Sequence, residues 1–335
     1  MIDLKKYAIR TDLAVESLKE DDLGNLVKYE ENGISVSSLV VDKTLGKKIN
    51  KKEGDYTTIE FLDITDFDNR EKVGKVFQKE LKKILFKKNI TDNMSALVIG
   101  LGNEKSAPDS LGPKVVKDIL VTRHLFELNV KVNKNIRIVS SFAPGVMGVT
   151  GIETSNIIKS LVDTVKPDFL IVIDALASSS IDRLNKTIQI TTAGISPGSG
   201  VSNKRKEISE EIYHIPVIAI GIPTVVDAPT IISDSINSLF KYFSYLKDNL
   251  AKSKLSLKKK IGNKDNLSNE EKKELLGILG TLSDKDKKSL LKEILISDEL
   301  DLIVTPKEID FLIDKMSSLI SSTLNNTLHK DVTHY

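Results

Sequence analysis

The sequence contains no cysteine, and this absence excludes several chemistries at once. A chain without thiols forms no disulfide, has no cysteine nucleophile and holds neither an iron–sulfur cluster nor a thiolate zinc site. Histidine is scarce as well, with four in 335 residues. Because no two of the four fall at the spacing of a zinc site, we expect no bound metal. These histidines are His124, His214, His329 and His334.

Arginine is the next scarce residue, since only six of the 49 basic side chains carry a guanidinium group. Its planar fork suits carboxylates better than the ammonium group of lysine does, so each arginine is a candidate for binding an acidic group. The basic residues face 47 acidic ones and leave a net charge of +2. This balance argues against direct binding of nucleic acid or of an anionic membrane, because both need a clustered excess of positive charge.

Long apolar runs are also missing. No stretch approaches the roughly 18 apolar residues of a membrane-spanning helix, and the amino terminus lacks the apolar segment of a secretion signal. We therefore predict a cytoplasmic protein without a membrane partner. A hydrophobic content of 40% is nevertheless enough for a sizeable core, and 335 residues correspond to about two domains at roughly 150 residues each.

The spacing of the apolar residues predicts an α/β fold. Residues 34–41 and 56–61 alternate with a period of two, which is typical of half-buried antiparallel strands. From residue 96 onward, short apolar strands alternate with helices, a pattern typical of a mostly parallel sheet with helices on both faces. We predict these strands at 96–101, 136–140, 169–173, 187–191 and 216–222, and helices near 69–88, 110–126, 151–165, 205–213 and 230–250.

Residues 251–300 differ from the rest in composition. They are rich in lysine and glutamate, and we predict a solvated helical insertion with helices near 269–280 and 284–296. The segment 301–335 is predicted as a C-terminal helix that packs on the core. Thr305 is its expected N-cap and Pro306 its expected first residue.

The loops that follow the strands contain the polar groups of a candidate site. In open α/β sheets, ligands bind beyond the carboxyl ends of the strands. Each loop at those ends carries glycine or a carboxylate, and the loops are 100–113, 141–148, 174–177, 194–200 and 221–227. We therefore expect one cleft at a shared edge of the sheet.

Two familiar motifs in these loops fail on chemical grounds. Gly100 and Gly102 follow a strand as in a dinucleotide-binding loop, but Lys105 stands where the third glycine is needed. Residues 194–198 match the G-x-S-x-G motif of serine hydrolases. That motif needs the backbone N–H of the residue after the serine, and Pro197 has none. We therefore predict neither a nucleotide nor any other cofactor, and no serine nucleophile.

Carboxylates are the remaining candidates for catalysis. Asp174 ends a buried strand, and Asp109 lies where a loop meets a helix, a position that also suits helix capping. Asp227 is a third candidate, either in the cleft or as an acceptor that stabilises its own loop. Two carboxyl groups close together in a partly buried cleft share one proton, so that one activates water while the other acts as an acid. This arrangement suits amide hydrolysis without a metal or a nucleophilic side chain.

Nine short motifs run through nearly the whole chain. They are IRTDLAVE at 9–16, APDSLGP at 107–113, VTRHL at 121–125, APGVMG at 143–148, GIET at 151–154, DALA at 174–177, PGSGV at 197–201, PTVVDA at 223–228 and VTPKEID at 304–310. In number and order these motifs resemble the germination proteases of spore-forming bacteria. Only the segment 251–300 has no counterpart in the resemblance.

The resemblance implies an endopeptidase that degrades the small acid-soluble proteins of spores, and hence a location in the forespore or spore core. It also implies a homotetramer. The implied fold is similar to that of hydrogenase-maturation endopeptidases, in which acidic residues at the same sheet edge bind nickel. No suitable histidine follows at that edge here, so we favour an atypical aspartic mechanism. The catalytic aspartates proposed for the family map by motif onto Asp109 and Asp174.

The resemblance further implies a zymogen that cuts its own amino terminus. Residues 11–16 match the substrate pattern, in which an acidic residue precedes the cut and a large apolar residue, an alanine and a later glutamate follow it. We predict the cut between Asp12 and Leu13. The chain then comprises a propeptide (1–12), an α/β peptidase core (13–250), the insertion and the C-terminal helix.

Recognition of the acidic residue before the cut calls for a basic group in the cleft. Arg123 and Arg137 are the arginines that we predict for this role. Further cleft candidates are Asp227, Glu153 and Ser199.

Two other functions stay open. One is a metal-dependent peptidase of the hydrogenase-maturation type, which would lose activity to a strong chelator and recover it with nickel or zinc. The other is a non-catalytic protein that binds the DNA-binding proteins of spores. Such a protein would retain its partners without cutting them.

Overall fold

A computed structural model describes residues 11–133, 135–196, 206–250, 265–297, 300 and 302–330. Contacts between residues divide the chain into two compact units. Within the described part, the larger unit comprises residues 11–178, 182–225 and 305–330, and the smaller unit comprises 179–181 and 226–304. Residues 1–10 of the predicted propeptide and Ser199 lie outside the described residues.

Nine strands of the described residues form one sheet. In chain order they are β1 (Leu26–Glu31), β2 (Ile34–Val41), β3 (Gly54–Glu60), β4 (Ala96–Gly100), β5 (Val139–Phe142), β6 (Phe169–Ser178), β7 (Thr187–Thr191), β8 (Val217–Asp227) and β9 (Ile303–Val304). Their order across the sheet is β1-β2-β3-β7-β8-β6-β4-β5, and β9 pairs with the last two residues of β8. Every strand predicted from the apolar pattern has a counterpart.

The sheet is mixed in strand direction. β1, β2, β3, β7 and β8 pair antiparallel in that order, whereas β4 runs parallel to β5 and β6. β6 and β8 are neighbours in the sheet, and the Leu170 N–H donates to the Pro216 carbonyl at 2.9 Å. Because this bond joins the starts of both strands, they run the same way. The α/β class is thus confirmed, and the parallel arrangement holds for β8, β6, β4 and β5. β7 runs against them, so the loop 194–200 starts at the opposite edge, which corrects the prediction of one common edge.

Helices cover both faces of the sheet in the larger unit, as predicted. α2 (Phe67–Lys87), α3 (Leu111–Lys117) and α12 (Ile309–Leu328) pack on one face through the largest apolar cluster. On the other face, α6 (Thr154–Val165) packs on β4 and β6, and α1 (Lys43–Ile49) packs on β2 and β3. The remaining helices are α4 (Arg123–Glu127), α5 (Met147–Thr150), α7 (Glu210–Tyr213), α8 (Ala228–Leu250), α9 (Asn269–Leu276), α10 (Ile278–Thr281) and α11 (Asp284–Ser297).

Tertiary hydrogen bonds move two helix boundaries away from their predicted positions. The predicted helix over 110–126 is divided into α3 and α4, because the Leu120 N–H donates to Asn325 Oδ1 at 2.9 Å and leaves the helical ladder. The C-terminal helix begins at Ile309 instead of Pro306. Thr305 does not cap it, because its hydroxyl donates to the Thr224 carbonyl at 2.8 Å.

The smaller unit is built mainly from helices α8 to α11. Ser268 and Glu271 form a capping box at the start of α9. The buried Lys288 of α11 pairs with Asp284 at 3.0 Å and with Asp234 of α8 at 3.5 Å. The helices predicted for the lysine-rich segment are present, and α8 belongs to this unit by its contacts. Across the part of the chain that the structure describes, no helix has the length and apolar character needed to cross a bilayer.

His329 fixes the end of α12 to the body of the larger unit. Its Nδ1 accepts from the backbone N–H of Arg137 at 3.2 Å, so the proton of the neutral ring is on Nε2, which lies 3.2 Å from the Leu120 carbonyl. Burial lowers the pKa of His329, because the charged ring is poorly solvated there. The fold therefore favours the neutral imidazole.

This lowered pKa predicts a pH-dependent stability. Below about pH 6.5 the unfolded chain binds a proton at His329 that the folded chain resists, so the free energy of unfolding falls as the pH drops. We expect the stability of the wild type to decline more steeply between about pH 7 and pH 5 than that of His329→Gln, which cannot titrate. Urea unfolding at several pH values measures both slopes. Equal slopes would contradict the assignment.

Candidate active site

β4 ends beside the middle of β6, which continues for five more residues to Ser178. β4 pairs in parallel with residues 169–173, and the Leu101 N–H continues the ladder by donating to the Ile173 carbonyl at 2.8 Å. Asp174 is the next residue of β6, and the loop that contains Asp109 starts directly after β4. The loop that contains Asp109 thus starts beside the residue before Asp174, whereas the predicted loop 174–177 belongs to β6.

Asp109 ends a 3-10 turn (Ala107–Asp109) that folds back onto the end of β4. The Asn103 N–H is shared between the Asp109 carbonyl at 3.0 Å and the carboxylate Oδ2 at 2.9 Å. This approach requires Gly102, whose φ is +116° and whose Cβ, if present, would lie 2.0 Å from the Asp109 carbonyl oxygen. Ser110 occupies the N-cap of α3. The loop therefore fixes the Asp109 carboxylate one residue ahead of the N-cap of α3.

Asp174 lies on a buried stretch of β6, with 6% of its surface exposed. Side chains alternate along a strand, so Asp174 shares one face of β6 with Leu176 and Ser178. Leu176 packs over Gly221 of β8, where a Cβ would come within 2.4 Å of its side chain. Gly221 pairs with Gln189 of β7. One continuous face of the sheet therefore carries Asp174, Ser178 and Gln189.

The predicted cleavage junction binds to this part of the sheet. The Asp12 N–H donates to the Ala177 carbonyl at 3.0 Å, and the Ala177 N–H donates back to Asp12 Oδ2 at 2.8 Å. Leu13 and Ala14 are completely buried. Because each strand residue spans about 3.3 Å, Ala177 lies about 10 Å along β6 from Asp174. The structure thus holds the bond between Asp12 and Leu13 against the strand that carries a predicted catalytic residue.

Gln189 and Lys51 hold the backbone of the junction. The Gln189 amide donates through Nε2 to the Asp12 carbonyl at 3.2 Å and accepts through Oε1 from the Ala14 N–H at 2.8 Å. The Lys51 ammonium donates to the Thr11 carbonyl at 2.7 Å. Burial lowers the pKa of Lys51, against the opposing effect of the Asp12 carboxylate. Both side chains thus bind main-chain atoms of the junction.

Glu16, the second acidic side chain of the junction, enters a site with three donors. The Ser178 hydroxyl donates to Oε1 at 2.7 Å, Arg183 Nε lies 3.3 Å from the same oxygen, and the Thr11 hydroxyl donates to Oε2. Only 5% of the Glu16 side chain is exposed. Arg183 also contacts Glu60, with 2.6 Å between a guanidinium nitrogen and Oε1. A carboxylate buried to this degree needs charged and hydrogen-bonding partners of this kind.

The two arginines predicted to recognise the acidic residue lie elsewhere. Arg137 is buried, donates to the Thr91 carbonyl at 2.8 Å and lies 5.3 Å from the ring centroid of Phe169. These donors bind main-chain carbonyls of the core, so the geometry gives no support to the predicted role in substrate recognition. Arg123 donates through Nε to Ser140 Oγ at 2.9 Å. Ser140 is the second residue of β5, so this contact does not lie at the carboxyl end of the strand.

The remaining cleft candidates are spread over the fold. Glu153 directly precedes α6, and its Oε1 is buried without a hydrogen-bond partner among the described residues. Asp227 ends β8 in the smaller unit and accepts from Lys292 Nζ at 2.7 Å. This ion pair fits the loop-stabilising alternative for Asp227. Ser199 lies outside the described residues, and β7, the strand leading into its loop, ends at the opposite edge.

The sequence carried only weak signals for the residues that bind the junction. Arg183 is one of only six arginines, but the residues next to it in the sequence form no motif that indicates a carboxylate-binding role. Gln189 is the polar residue between Ile188 and Ile190 in an alternating strand. This pattern predicts that its side chain lies on the opposite face of the sheet from theirs, but it does not predict what the side chain binds. Ser178 lies beyond the predicted end of its strand. Only the folded chain brings these three side chains together.

Three of the four histidines lie among the described residues. His124 lies in α4, His214 directly follows α7, and His329 binds the backbone near the end of α12. Among the described residues, no group of three or more acidic or histidine side chains is placed to hold a metal ion.

The family of the chain follows from its matches to known proteins. A model of the germination proteases matches residues 5–335. The chain belongs to the germination protease family. The germination proteases of Bacillus licheniformis and Priestia megaterium are each 46% identical to it over 99% of this chain and 96% of their own length. That of Bacillus cereus is 44% identical over the same shares.

The chain also has a partial likeness to a solved structure, the nickel–iron hydrogenase maturation protease of Thermococcus kodakarensis. The likeness covers 43% of this chain and 80% of that one, at 16% identity and a TM-score of 0.28. Family membership confirms the resemblance predicted from the nine motifs. The chain is therefore a protease of spore germination.

Proposed function

We propose that this protease is an endopeptidase that starts the degradation of small acid-soluble spore proteins by cutting after an acidic residue. The observation that carries the proposal is the pairing of β4 with β6. The loop with Asp109 starts where β4 ends, beside the residue before Asp174, and β6 also binds a stretch of chain with the expected substrate pattern. Family membership supports a protein substrate in spores. The homotetramer and the spore-core location implied by the resemblance belong to the same proposal.

Asp109 and Asp174 supply the acid and the base of the proposed reaction. Two neighbouring carboxyl groups in a partly buried cleft hold one proton between them. The ionised group takes a proton from water while the water oxygen attacks the carbonyl carbon of the peptide bond. The protonated group gives its proton to the leaving nitrogen as the C–N bond breaks. The products are a carboxylic acid and an amine, and the pair again holds one proton.

Self-cleavage between Asp12 and Leu13 is the second part of the proposal. We expect the purified chain to convert to a product that begins at Leu13, because this junction is the bound segment with the substrate pattern. Asp12→Ala removes the carboxylate that accepts from the Ala177 N–H, so conversion should slow by about tenfold or more. The matched control, Asp21→Ala, changes a nearby exposed aspartate and should convert normally.

Intact mass and amino-terminal sequencing over time measure this conversion. A fully active enzyme that still begins at Met1 would overturn the proposed cut. A strong chelator tests the metal-dependent alternative in the same assay. We expect unchanged cleavage, whereas loss of cleavage that nickel or zinc restores would favour the metal. The non-catalytic alternative predicts binding of spore proteins with no fragments.

A further inference from the structure

Residues 12–16 are held by a set of side chains that we propose to be a substrate subsite. In this inference Gln189 binds the substrate backbone on both sides of the cut bond, and Arg183 with Ser178 binds the carboxylate four residues after it. The inference rests on the proposed function, since it requires the chain to cut its own junction. It assigns substrate specificity to residues on and directly after β6 and on β7.

Gln189 binds only main-chain atoms of the junction. Its amide donates to the carbonyl of Asp12 and accepts from the N–H of Ala14, so the two hydrogen bonds flank the bond between Asp12 and Leu13. A side-chain amide offers both a donor and an acceptor, and neither contact depends on the side chains of the bound peptide. Gln189 is therefore suited to hold any extended peptide in this position.

The contacts of Arg183 and Ser178 select a side chain. Both bind Oε1 of Glu16, and the bond to the guanidinium is charge-assisted, which makes it stronger than a neutral hydrogen bond. A neutral or apolar side chain in this place would leave the buried donors without an acceptor. The site therefore discriminates in favour of an acidic residue four positions after the cut.

Glu60 keeps this site in place independently of Glu16. It contacts another nitrogen of the Arg183 guanidinium at 2.6 Å. When Glu16 leaves, Arg183 retains this partner and stays positioned for the next carboxylate. The proposed function assigns both the junction and separate substrates to one catalytic pair. On that basis the proposal extends the contacts of the chain's own junction to added peptides.

The test combines enzyme variants with peptides that copy residues 5–22. One peptide is unchanged and the other carries Glu16→Gln. With the wild-type enzyme, the substituted peptide should have a kcat/KM at least about tenfold lower, the loss expected for one charge-assisted hydrogen bond. With the Arg183→Gln enzyme, both peptides should be cut at the same reduced rate. Gln189→Leu should slow both peptides equally and preserve the discrimination between them.

A charge reversal separates recognition from folding. The Arg183→Glu enzyme should cut a peptide with Glu16→Lys faster than the unchanged peptide, which is the opposite of the wild-type preference. Such a reversal cannot result from a misfolded enzyme. Arg70→Gln is the matched control, because Arg70 binds the carbonyls of Ile64 and Thr65, and it should retain the wild-type preference.

Two results would overturn the inference and leave the proposed function standing. One is a preference for Glu16 that persists in the Arg183→Gln enzyme. The other is slower self-cleavage of Arg183→Gln without any change in peptide preference, which would make the site a clamp for the chain's own terminus. If the wild-type enzyme leaves the unchanged peptide intact, the proposed function itself fails.

Discussion

Replacing Asp174 with asparagine is expected to abolish cleavage of the chain's own junction. In the wild type, Asp174 Oδ1 accepts from the Ala175 N–H at 2.9 Å. Asparagine has the same size and an oxygen that can accept this bond, but it neither takes up nor releases a proton. General acid–base groups contribute about 100- to 10,000-fold to a rate. We therefore expect self-cleavage at least about 1,000-fold slower than in the wild type. Intact mass as a function of time measures the rate.

Asp109→Asn should have an effect of the same size, because the two carboxyl groups act as a unit. For such a pair, the double variant should be no slower than either single variant. Asp163→Asn is the matched control, since Asp163 is an exposed aspartate on α6. Rates near the wild-type value in either single variant would refute the two-aspartate mechanism.

Gly102→Ala is expected to have the second large effect, and it acts through geometry alone. The added Cβ would lie 2.0 Å from the Asp109 carbonyl oxygen, at a φ of +116° that alanine rarely adopts. The backbone strain costs about 1–2 kcal/mol of unfolding free energy, and the steric overlap adds to it. Because Asp109 must move, we expect cleavage to fall by about 100-fold, the loss typical of a catalytic group displaced by about 1 Å.

Gly24→Ala provides the control for this substitution. A Cβ at Gly24 has no neighbour within 4 Å, and its backbone lies outside the left-handed region. Urea unfolding measures the stability of both variants, and the self-cleavage rate measures activity. Wild-type cleavage by Gly102→Ala would mean that the loop position of Asp109 is unimportant for the reaction.

The strands could be predicted from the sequence because their pattern is local. β2 and β7 begin and end at the predicted residues, since apolar residues alone define a buried strand. β6 runs five residues past its predicted end, through Asp174 to Ser178. Its extension depends on partners far away in the chain, such as Asp12 bound to Ala177. Periodicity within one segment contains no information about such partners.

Strand direction and helix ends were harder to predict for the same reason. β7 follows a parallel strand in the chain, yet it pairs antiparallel with β3 and β8. The helix predicted over 110–126 stops at Lys117, because Leu120 bonds to Asn325 at the other end of the chain. Each deviation follows from a tertiary contact that outweighs local propensity.

The candidate site could be predicted in part. The loop rule for α/β sheets predicts Asp109 and Asp174 at one edge. In the structure the loop with Asp109 starts beside the residue before Asp174, but Asp174 itself lies within β6. The choice of arginine could not be made from the sequence, because a guanidinium group serves the core at Arg137 and a carboxylate at Arg183. Only the fold distinguishes these two environments.

The most direct test of the central claim uses a protein substrate. Purified wild-type chain and Asp174→Asn are each incubated with a small acid-soluble spore protein, and the fragments are mapped by mass spectrometry. We predict fragments that end in an acidic residue, from the wild type alone. Intact substrate with the wild type, or the same fragments with both proteins, would contradict the claim.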